Sequence, residues 1–268
     1  MVKYVRKRMN AFKRTRKSKN TLSKIQSVVK SALNKELEVK QWQWNLNQQV
    51  MTYYGNSTLF GNNNVIQLGP GADYTLGSGV NNSSRIGNKV RVKKAELFIT
   101  IYPTPFNLTV NKNPIPMDLR LIICHSKQTP TEVIVSNTFF DINGGSANPI
   151  GQLEDMMASV NKEIYVVTKD VHFKVGSSNY VGDGATSSQQ YFSNNDYKLN
   201  VMKKYDITSS FPTNLTWNDQ ASVPTSFQPT MVLLMARSDG TIVDDTSMIS
   251  DYQPLQYTTR VVITYTDA

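Results

Sequence analysis

The sequence predicts an all-β sandwich of about eight strands, preceded by a basic arm and a short helix. Three observations support this fold class. Residues 39–268 are rich in Asn, Thr, Ser, Val and Tyr and poor in Glu, Lys and Ala, a mixture that favours pleated strands over helices. Apolar residues alternate with polar ones at a period of two in several segments. The connections between these segments are long and rich in Gly, Pro and Asn, which is typical of loops.

Positive charge is concentrated at the start of the chain. Residues 1–40 contain thirteen Lys and Arg against two acidic residues, which gives +11. Residues 41–268 contain sixteen against eighteen, which gives −2, and the two parts add to the +9 of the whole chain. Residues 1–19 hold no acidic residue, so this segment repels itself and is predicted to be a disordered arm that binds nucleic acid. Its basic residues are Lys3, Arg6, Lys7, Arg8, Lys13, Arg14, Arg16, Lys17 and Lys19.

Two clusters within the arm match a nuclear localisation signal, which is a short run of Lys and Arg. We therefore expect the nuclear import machinery to be a partner. No apolar stretch reaches the roughly 18 residues that span a bilayer, and the first residues lack the apolar centre of a secretory signal peptide. The two clusters consist of Arg6, Lys7 and Arg8, and of Lys13, Arg14, Arg16 and Lys17.

Residues 20–38 are predicted to form an amphipathic basic helix, because apolar residues recur there at spacings of three and four. Lys24 and Lys30 lie off this apolar stripe and are predicted to contact nucleic acid, while the stripe packs against the body or a second copy. Binding to a membrane surface is an alternative, but the stripe lacks the Trp and Phe that anchor such helices. The stripe consists of Leu22, Ile25, Val29, Leu33 and Leu37.

From Val39 onward the period becomes two, because Trp42 and Trp44 alternate with polar residues. Residues 55–88 are predicted to be mostly loop, with one short strand at 65–68. The other predicted strands cover 89–102, 118–124, 164–169, 171–175, 198–207, 231–236 and 259–266, and a brief helix is predicted at 131–137. In the segment that begins at Met231 both faces are apolar, as in a strand that is buried on both sides.

Residues 89–102 form the strongest predicted strand. Its apolar positions change parity, since Val90 and Val92 fall on one face and the later apolar residues on the other. This predicts a β-bulge or a strong twist near Lys93 and Lys94. The basic end of the strand is either a solvated face or a second nucleic-acid contact on the same side as the arm. Its basic residues are Arg85, Lys89, Arg91, Lys93 and Lys94.

Side chains that carry catalysis or bind metals are sparse. His125 and His172 are the two histidines and show no metal-ligand spacing, and the nucleophile motif of the α/β-hydrolases is absent from the sequence. Cys124, the one cysteine, is predicted to be a small buried side chain. We therefore expect no enzyme activity, no cofactor and no metal site. The pairs Glu154–Asp155 and Asp244–Asp245 could hold Ca²⁺ between chains, but solvated loop charges are the simpler interpretation.

Several short segments occur in an order that is typical of one protein family. Ile66-Gln67-Leu68-Gly69 is followed by Ser84-Arg85-Ile86-Gly87-Asn88-Lys89-Val90-Arg91-Val92, then by 118–123 with 127–131, and then by 166–171. This succession resembles the capsid proteins of circular Rep-encoding single-stranded DNA (CRESS-DNA) viruses, and its organisation is similar to that of satellite tobacco necrosis virus-like capsid proteins. The resemblance implies a single eight-stranded jelly-roll capsid domain over residues 39–268, a T=1 icosahedral shell, and an arm that lies inside on the genome.

The first functional hypothesis is therefore a viral capsid protein that self-assembles and packages single-stranded nucleic acid through its arm. The expected partners are further copies of the chain, a single-stranded DNA genome (or an RNA one), the host nuclear import machinery and an unidentified host-cell receptor, with no membrane. The expected location is the virion, and the host nucleus during assembly. The alternative is a non-capsid nucleic-acid-binding or nuclear-shuttle protein with a β-sandwich body, which would bind DNA without forming particles.

Overall fold

The computed structural model describes one segment of the N-terminal region and most of the chain after residue 38. The described residues are 23–29, 38–51, 64–71, 74–81, 83–104, 115–128, 134, 136–142, 144–176, 179–181, 190–192, 200–219, 221–240 and 254–267. They are mostly in antiparallel strands, so the predicted all-β fold class is confirmed. The described residues up to Val39 belong to one unit and those from Lys40 to Thr266 to another, and each unit is described by itself.

The regular elements alternate with long connections. The strands are β1 (Val39–Met51), β2 (Val65–Gln67), β3 (Lys89–Pro103), β4 (Met117–Ser126), β5 (Phe140–Ile142), β6 (Gly145–Ala147), β7 (Ser159–Val160), β8 (Tyr165–Val175), β9 (Asn179–Val181), β10 (Gln190–Phe192), β11 (Val201–Asp206), β12 (Asn214–Thr216), β13 (Thr230–Arg237) and β14 (Leu255–Asp267). The helices are α1 (residues 23–29) and α2 (Leu153–Met157), and 3-10 turns occupy Ser136–Thr138 and Thr208–Ser210.

Two larger sheets enclose the main core. The first sheet has the strand order β1-β14-β3-β11, with β12 paired to the first part of β3. The second has the order β2-β13-β4-β8. One cluster of buried side chains draws members from both sheets, including Trp44, Leu97 and Tyr257 from the first and Leu121 and Leu233 from the second. The two sheets therefore pack face to face as a sandwich.

A third layer covers the outer face of the second sheet. The small sheet β6-β5-β7 and helix α2 pack there around a second apolar cluster. Ile122 and Cys124 from β4, and Val232 and Leu234 from β13, are fully or almost fully buried in this cluster. Both faces of β13 are therefore buried, which confirms the interpretation of its continuous apolar run. Cys124 is buried as predicted.

β1 shows the predicted alternation and is held from the inside. Trp42 and Trp44 are buried between exposed polar neighbours. The indole Nε1–H of Trp42 donates to the carbonyl of Thr75 at 3.3 Å, and that of Trp44 donates to the carbonyl of Leu68 at 3.3 Å. Tyr74 stacks on Trp44 with ring centroids 4.8 Å apart. Each buried indole therefore has the hydrogen-bond partner that a tryptophan in a core requires.

A buried arginine joins the second sheet to the third layer. Arg120 of β4 is 5% exposed. Its guanidinium donates to both carboxylate oxygens of Asp170, at 2.9 and 2.7 Å, and to the carbonyls of Asp155 at 2.7 Å and Ala158 at 2.6 Å. It also lies 5.7 Å from the ring centroid of Phe140. The positive charge thus has a bidentate partner and two carbonyls in place of water.

The helical predictions are only partly met. Helix is present at residues 23–29, and the remainder of the predicted 20–38 helix up to residue 37 lies outside the described residues. The predicted helix at 131–137 is wrong where it can be compared, because Ile134 has no regular structure and a 3-10 turn begins at Ser136. Ser, Asn and Thr bond to nearby backbone groups and favour such turns. The short helix α2 was not predicted, since five residues carry too little periodicity.

Candidate nucleic-acid interface

The first half of β3 carries most of the candidate contacts outside the arm. Val90 and Val92 point into the core, and Lys89, Arg91 and Lys93 occupy the exposed alternate positions. Strand β12 pairs with this half and places Thr216 opposite Lys89 and Asn214 opposite Arg91. The cross-strand neighbours on β12 are thus uncharged, so they neither neutralise nor repel the basic side chains.

The predicted change of parity near Lys93 and Lys94 is confirmed. Both residues are exposed, and Ala95 is the next one that points into the core. The strand changes partner at this point, from β12 to β11. In between, Ala95 bonds to the 3-10 turn: its N–H donates to Thr208 Oγ1 at 2.9 Å, and its carbonyl accepts from the N–H of Ile207 at 2.9 Å. The change of partner is what brings two consecutive lysines to the surface.

The charges on this face fall into two groups. Glu96 pairs with Lys94 at 2.7 Å and with Lys204 of β11 at 2.9 Å. Hydrogen bonds from these two lysines lower the pKa of Glu96, and the hydrogen bond to Glu96 raises the pKa of Lys94. Within the described part of the chain, Lys89, Arg91 and Lys93 form no ion pair. These three, together with Lys94 and Lys204, are called the basic surface below.

Lys204 is a member of the basic surface that the sequence interpretation missed. Its ammonium lies 5.0 Å from the ring centroid of Phe98, its cross-strand partner on β3. The strand over 198–207 was predicted, but its pairing with β3 was not. Cross-strand neighbours that are about a hundred residues apart cannot be read from local alternation.

Arg85 is a correction to the predicted set. It is 3% exposed, and its guanidinium lies 4.8 Å from the ring centroid of Trp217. It donates to the carbonyls of Gly87 and Ala221 and to Asn88 Oδ1. The side chain therefore anchors the loop before β3 to the body and is not open to a nucleic acid.

The remaining candidates lie in the N-terminal unit. Lys24 is exposed on α1, and the apolar residues Ile25 and Val29 of the same helix are 54% and 51% exposed. Lys30 and the whole arm, with Lys3, Arg6, Lys7, Arg8, Lys13, Arg14, Arg16, Lys17 and Lys19, lie outside the described residues. Their role in binding nucleic acid and in nuclear import stays a prediction.

An open groove of about 560 Å³ lies beside the basic surface. Val92 and Phe211 supply part of its apolar lining, and Thr208 and Asp206 part of its polar lining. Hydrogen bonds from Thr208 lower the pKa of Asp206, and nearby Lys94 lowers it further. The groove therefore holds a carboxylate that stays charged at neutral pH, which disfavours a phosphate there.

The acidic pair Glu154–Asp155 does not form a solvated loop. Glu154 is exposed on α2, but Asp155 is 3% exposed and its Oδ2 accepts the backbone N–H groups of Ile150 at 2.8 Å and Gly151 at 2.6 Å. Within the described ranges, no group of three His, Cys, Asp or Glu side chains could hold a metal ion. The second pair, Asp244–Asp245, lies outside those ranges.

Burial makes Asp155 a source of pH-dependent stability. Desolvation raises its pKa from 3.8 to about 6, although the backbone hydrogen bonds lower it. A carboxyl with a raised folded-state pKa stabilises the fold fully below its unfolded pKa, and this stabilisation is lost as pH rises through about 6. We expect Asp155→Asn to gain stability relative to the parent between pH 4 and pH 7, by up to ~3 kcal/mol. Denaturant unfolding at the two pH values measures this, and a constant difference would contradict it.

The basic surface predicts a measurable salt dependence. Replacing Lys89, Arg91 and Lys93 by Ala in the full chain removes three phosphate contacts, and each contributes about 0.7 to the slope of log K against log salt for a single strand. We expect the slope to fall by about 2 in a fluorescence titration with single-stranded DNA. The matched control replaces three exposed lysines of the second-sheet side, which are Lys127, Lys162 and Lys174. An equal loss in the control would rule out a specific role for β3.

Comparison with known proteins does not assign the chain to a family. No protein-family model matches it, and no curated protein matches it. The class that the described residues define is an all-β protein with antiparallel sheets. The resemblance to CRESS-DNA virus capsid proteins stays a prediction. None of the described helices is both long and apolar enough to cross a membrane.

Proposed function

We propose that the protein is a viral capsid subunit that self-assembles into a small T=1 icosahedral shell and packages single-stranded nucleic acid through its N-terminal arm. The observation that carries the proposal is the division of charge: +11 over residues 1–40 and −2 over residues 41–268. A typical nucleic-acid-binding domain has its positive charge on a folded face. A nearly neutral body with a strongly basic tail suits a subunit that must pack against its copies while the tail holds a polyanion.

The strand order supports a single jelly roll. Apart from the three-residue β12, which pairs with β3, the two larger sheets are built from β1, β2, β3, β4, β8, β11, β13 and β14, and in chain order we number these strands 1 to 8. The sheets then have the orders 1-8-3-6 and 2-7-4-5. The first strand thus pairs with the eighth, the second with the seventh, the third with the sixth and the fourth with the fifth. A long hairpin that folds over itself produces this nesting, and such eight-stranded jelly rolls occur in viral capsid and lectin domains.

The charge of many arms matches what a packaged genome requires. About sixty subunits form a closed T=1 shell, and their N-terminal regions would bring on the order of 660 positive charges into one cavity. That charge neutralises much of the backbone of a genome of on the order of a thousand nucleotides. Each subunit meets a different sequence, so binding must tolerate any sequence, and Lys and Arg on a tether provide this.

The arm also accounts for the proposed route to the site of assembly. Before assembly, the clusters around Lys7 and Arg14 are open to the nuclear import machinery. Once the arm is inside a shell on the genome, the same residues are bound to phosphates. Nuclear entry would therefore precede assembly, which agrees with a virion protein that passes through the host nucleus.

Expression of the full chain followed by negative-stain electron microscopy tests the proposal. We expect closed particles of uniform diameter that co-purify with nucleic acid, because the arm's charge requires a counterion of high charge density. Small monomers under all conditions of pH and salt, still bound to nucleic acid, would contradict the capsid function. That result would favour the nuclear-shuttle alternative.

A further inference from the structure

The edge strands of the two larger sheets differ in how they are protected against pairing with another chain. An edge strand presents N–H and C=O groups without partners in its own sheet, and proteins protect such edges with short strands, charged side chains or proline. Three of the four edge strands of these sheets in the described structure follow this rule. β2 is three residues long. The other two edge strands carry acidic, basic or histidine side chains, which are Lys203, Lys204 and Asp206 on β11, and Lys169, Asp170, His172 and Lys174 on β8.

β1 is the fourth edge strand and has none of these protections on its outward face. It is thirteen residues long, contains no proline, and pairs only with β14 within the described part of the chain. Its outward side chains are all exposed and none is charged, and one of them, Gln43, already accepts a hydrogen bond at Oε1 from Arg260 of β14 and keeps its NH2 group for a partner. The outward residues are Val39, Gln41, Gln43, Asn45 and Asn47. The left-handed backbone of Gln48, with φ of 51°, interrupts the strand only after these positions.

The inner side of β1 is fixed to the body, so the free edge is already ordered. The ammonium of Lys40, a residue 1% exposed, donates to the carbonyl of Ser84 at 3.1 Å. Trp42 and Trp44 are held by their indole hydrogen bonds to the carbonyls of Thr75 and Leu68. A strand that is rigid before binding loses little conformational entropy when a partner pairs with it.

We propose that the free edge of β1 pairs with β1 of a second copy, antiparallel and about a two-fold axis. Amide side chains both donate and accept hydrogen bonds, so a row of Gln and Asn is complementary to itself. The row also avoids the like-charge repulsion that two copies of β8 or β11 would meet across such an axis. A two-fold contact is closed and uses the same surface on both chains. The pairing itself does not depend on the proposed capsid function. Only the location of this pair within a shell rests on that proposal.

Cysteine cross-linking tests the contact directly. The chain has a single cysteine, Cys124, which is fully buried, so it gives no background. We expect at least one of the single variants Gln41→Cys, Gln43→Cys and Asn45→Cys to form a disulfide-linked dimer under mild oxidation. The control is Met202→Cys, at a side chain 77% exposed on the opposite end of the same sheet. No dimer from any β1 variant, or an equal yield from the control, would overturn the inference.

Charge variants provide the second test. Lysine at positions 41, 43 and 45 together places like charges opposite each other across the axis, and glutamate at the same three positions does the same. We expect each triple variant to dimerise at least about tenfold more weakly than the parent in sedimentation velocity. An equimolar mixture of the two should restore association. Met202→Lys should leave it unchanged, and circular dichroism should show a folded body in every variant.

The outcomes separate this inference from the capsid proposal. If the full chain forms shells and the triple lysine variant assembles equally well, β1 pairing is overturned and the capsid function stands. If β1-linked dimers form while the parent chain makes no shells, the capsid function fails and the pairing stands. Failure of the mixed variants to associate would also overturn the pairing, because opposite charges remove the repulsion that the variants introduced.

Discussion

A chain that lacks residues 1–19 should form shells that contain almost no nucleic acid. The deletion removes nine Lys and Arg and no acid, so residues 20–40 keep four basic and two acidic residues, or +2 in place of +11. For binding to a single strand, we expect the slope of log K against log salt to fall by about 6. The ratio of absorbance at 260 and 280 nm of purified particles should fall to that of protein alone.

A charge-neutral arm of the same length is the matched control for this deletion. Replacing the nine basic residues of the arm by Gln keeps the chain length and removes the charge. Because neutralisation of phosphates is the proposed cause, this variant should lose nucleic acid to the same extent as the deletion. Truncated particles that still carry a full load of nucleic acid would contradict the proposed role of the arm and leave shell formation unaffected.

Replacement of Arg120 by Ala should destabilise the body far more than the loss of an ion pair on its surface. The change leaves the carbonyls of Asp155 and Ala158 without their donor at the buried end of the side chain. It also removes the bidentate partner of Asp170, whose side chain is 34% exposed and so stays hydrated. Each buried acceptor left without a donor costs about 1–3 kcal/mol, and loss of the solvated ion pair adds less than about 1 kcal/mol. We expect the unfolding temperature to fall by roughly 10 °C in a calorimetric scan.

Two further variants test the reason for that loss. Lys174→Ala removes a surface ion pair with Asp118 at 3.5 Å, between side chains 53% and 18% exposed, and should cost less than ~1 kcal/mol. Arg120→Lys keeps the charge but cannot bond both oxygens of Asp170 and both carbonyls at once, so it should recover only part of the loss. Full recovery by lysine would show that the geometry of the guanidinium is unimportant.

The alternation of apolar and polar residues was enough to predict the strands that have one buried and one solvent-exposed face. Trp42 and Trp44 were assigned to the core from their spacing alone, and the parity change at Lys93 was visible because two apolar runs of opposite phase meet there. The continuous apolar run that begins at Met231 also predicted burial on both faces. It did not predict what covers the second face, because the third layer comes from a different part of the chain.

The same reasoning predicted the exposure of the candidate nucleic-acid-binding residues less well. Lys89 and Arg91 were correctly placed on an exposed strand face, since the buried residues Val90 and Val92 alternate with them. Arg85 has the same local appearance but is buried, because Trp217 and Ala221 approach it from more than a hundred residues away. The burial of Asp155 depends likewise on how α2 packs on the second sheet. Pairing and packing between distant segments decide these cases, and neither leaves a local pattern in the sequence.

The position of β1 next to β14 has a consequence for how the protein is made. Residues 52–254 lie between the two strands, so the first strand of the body leaves the ribosome long before its partner exists. Contacts between such distant segments slow folding, because a long loop must close before they form. The body therefore cannot complete its first sheet until β14 has been synthesised. If the capsid proposal holds, an incomplete chain that lacks β14 would carry the basic arm without a complete first sheet, and would be excluded from the particle.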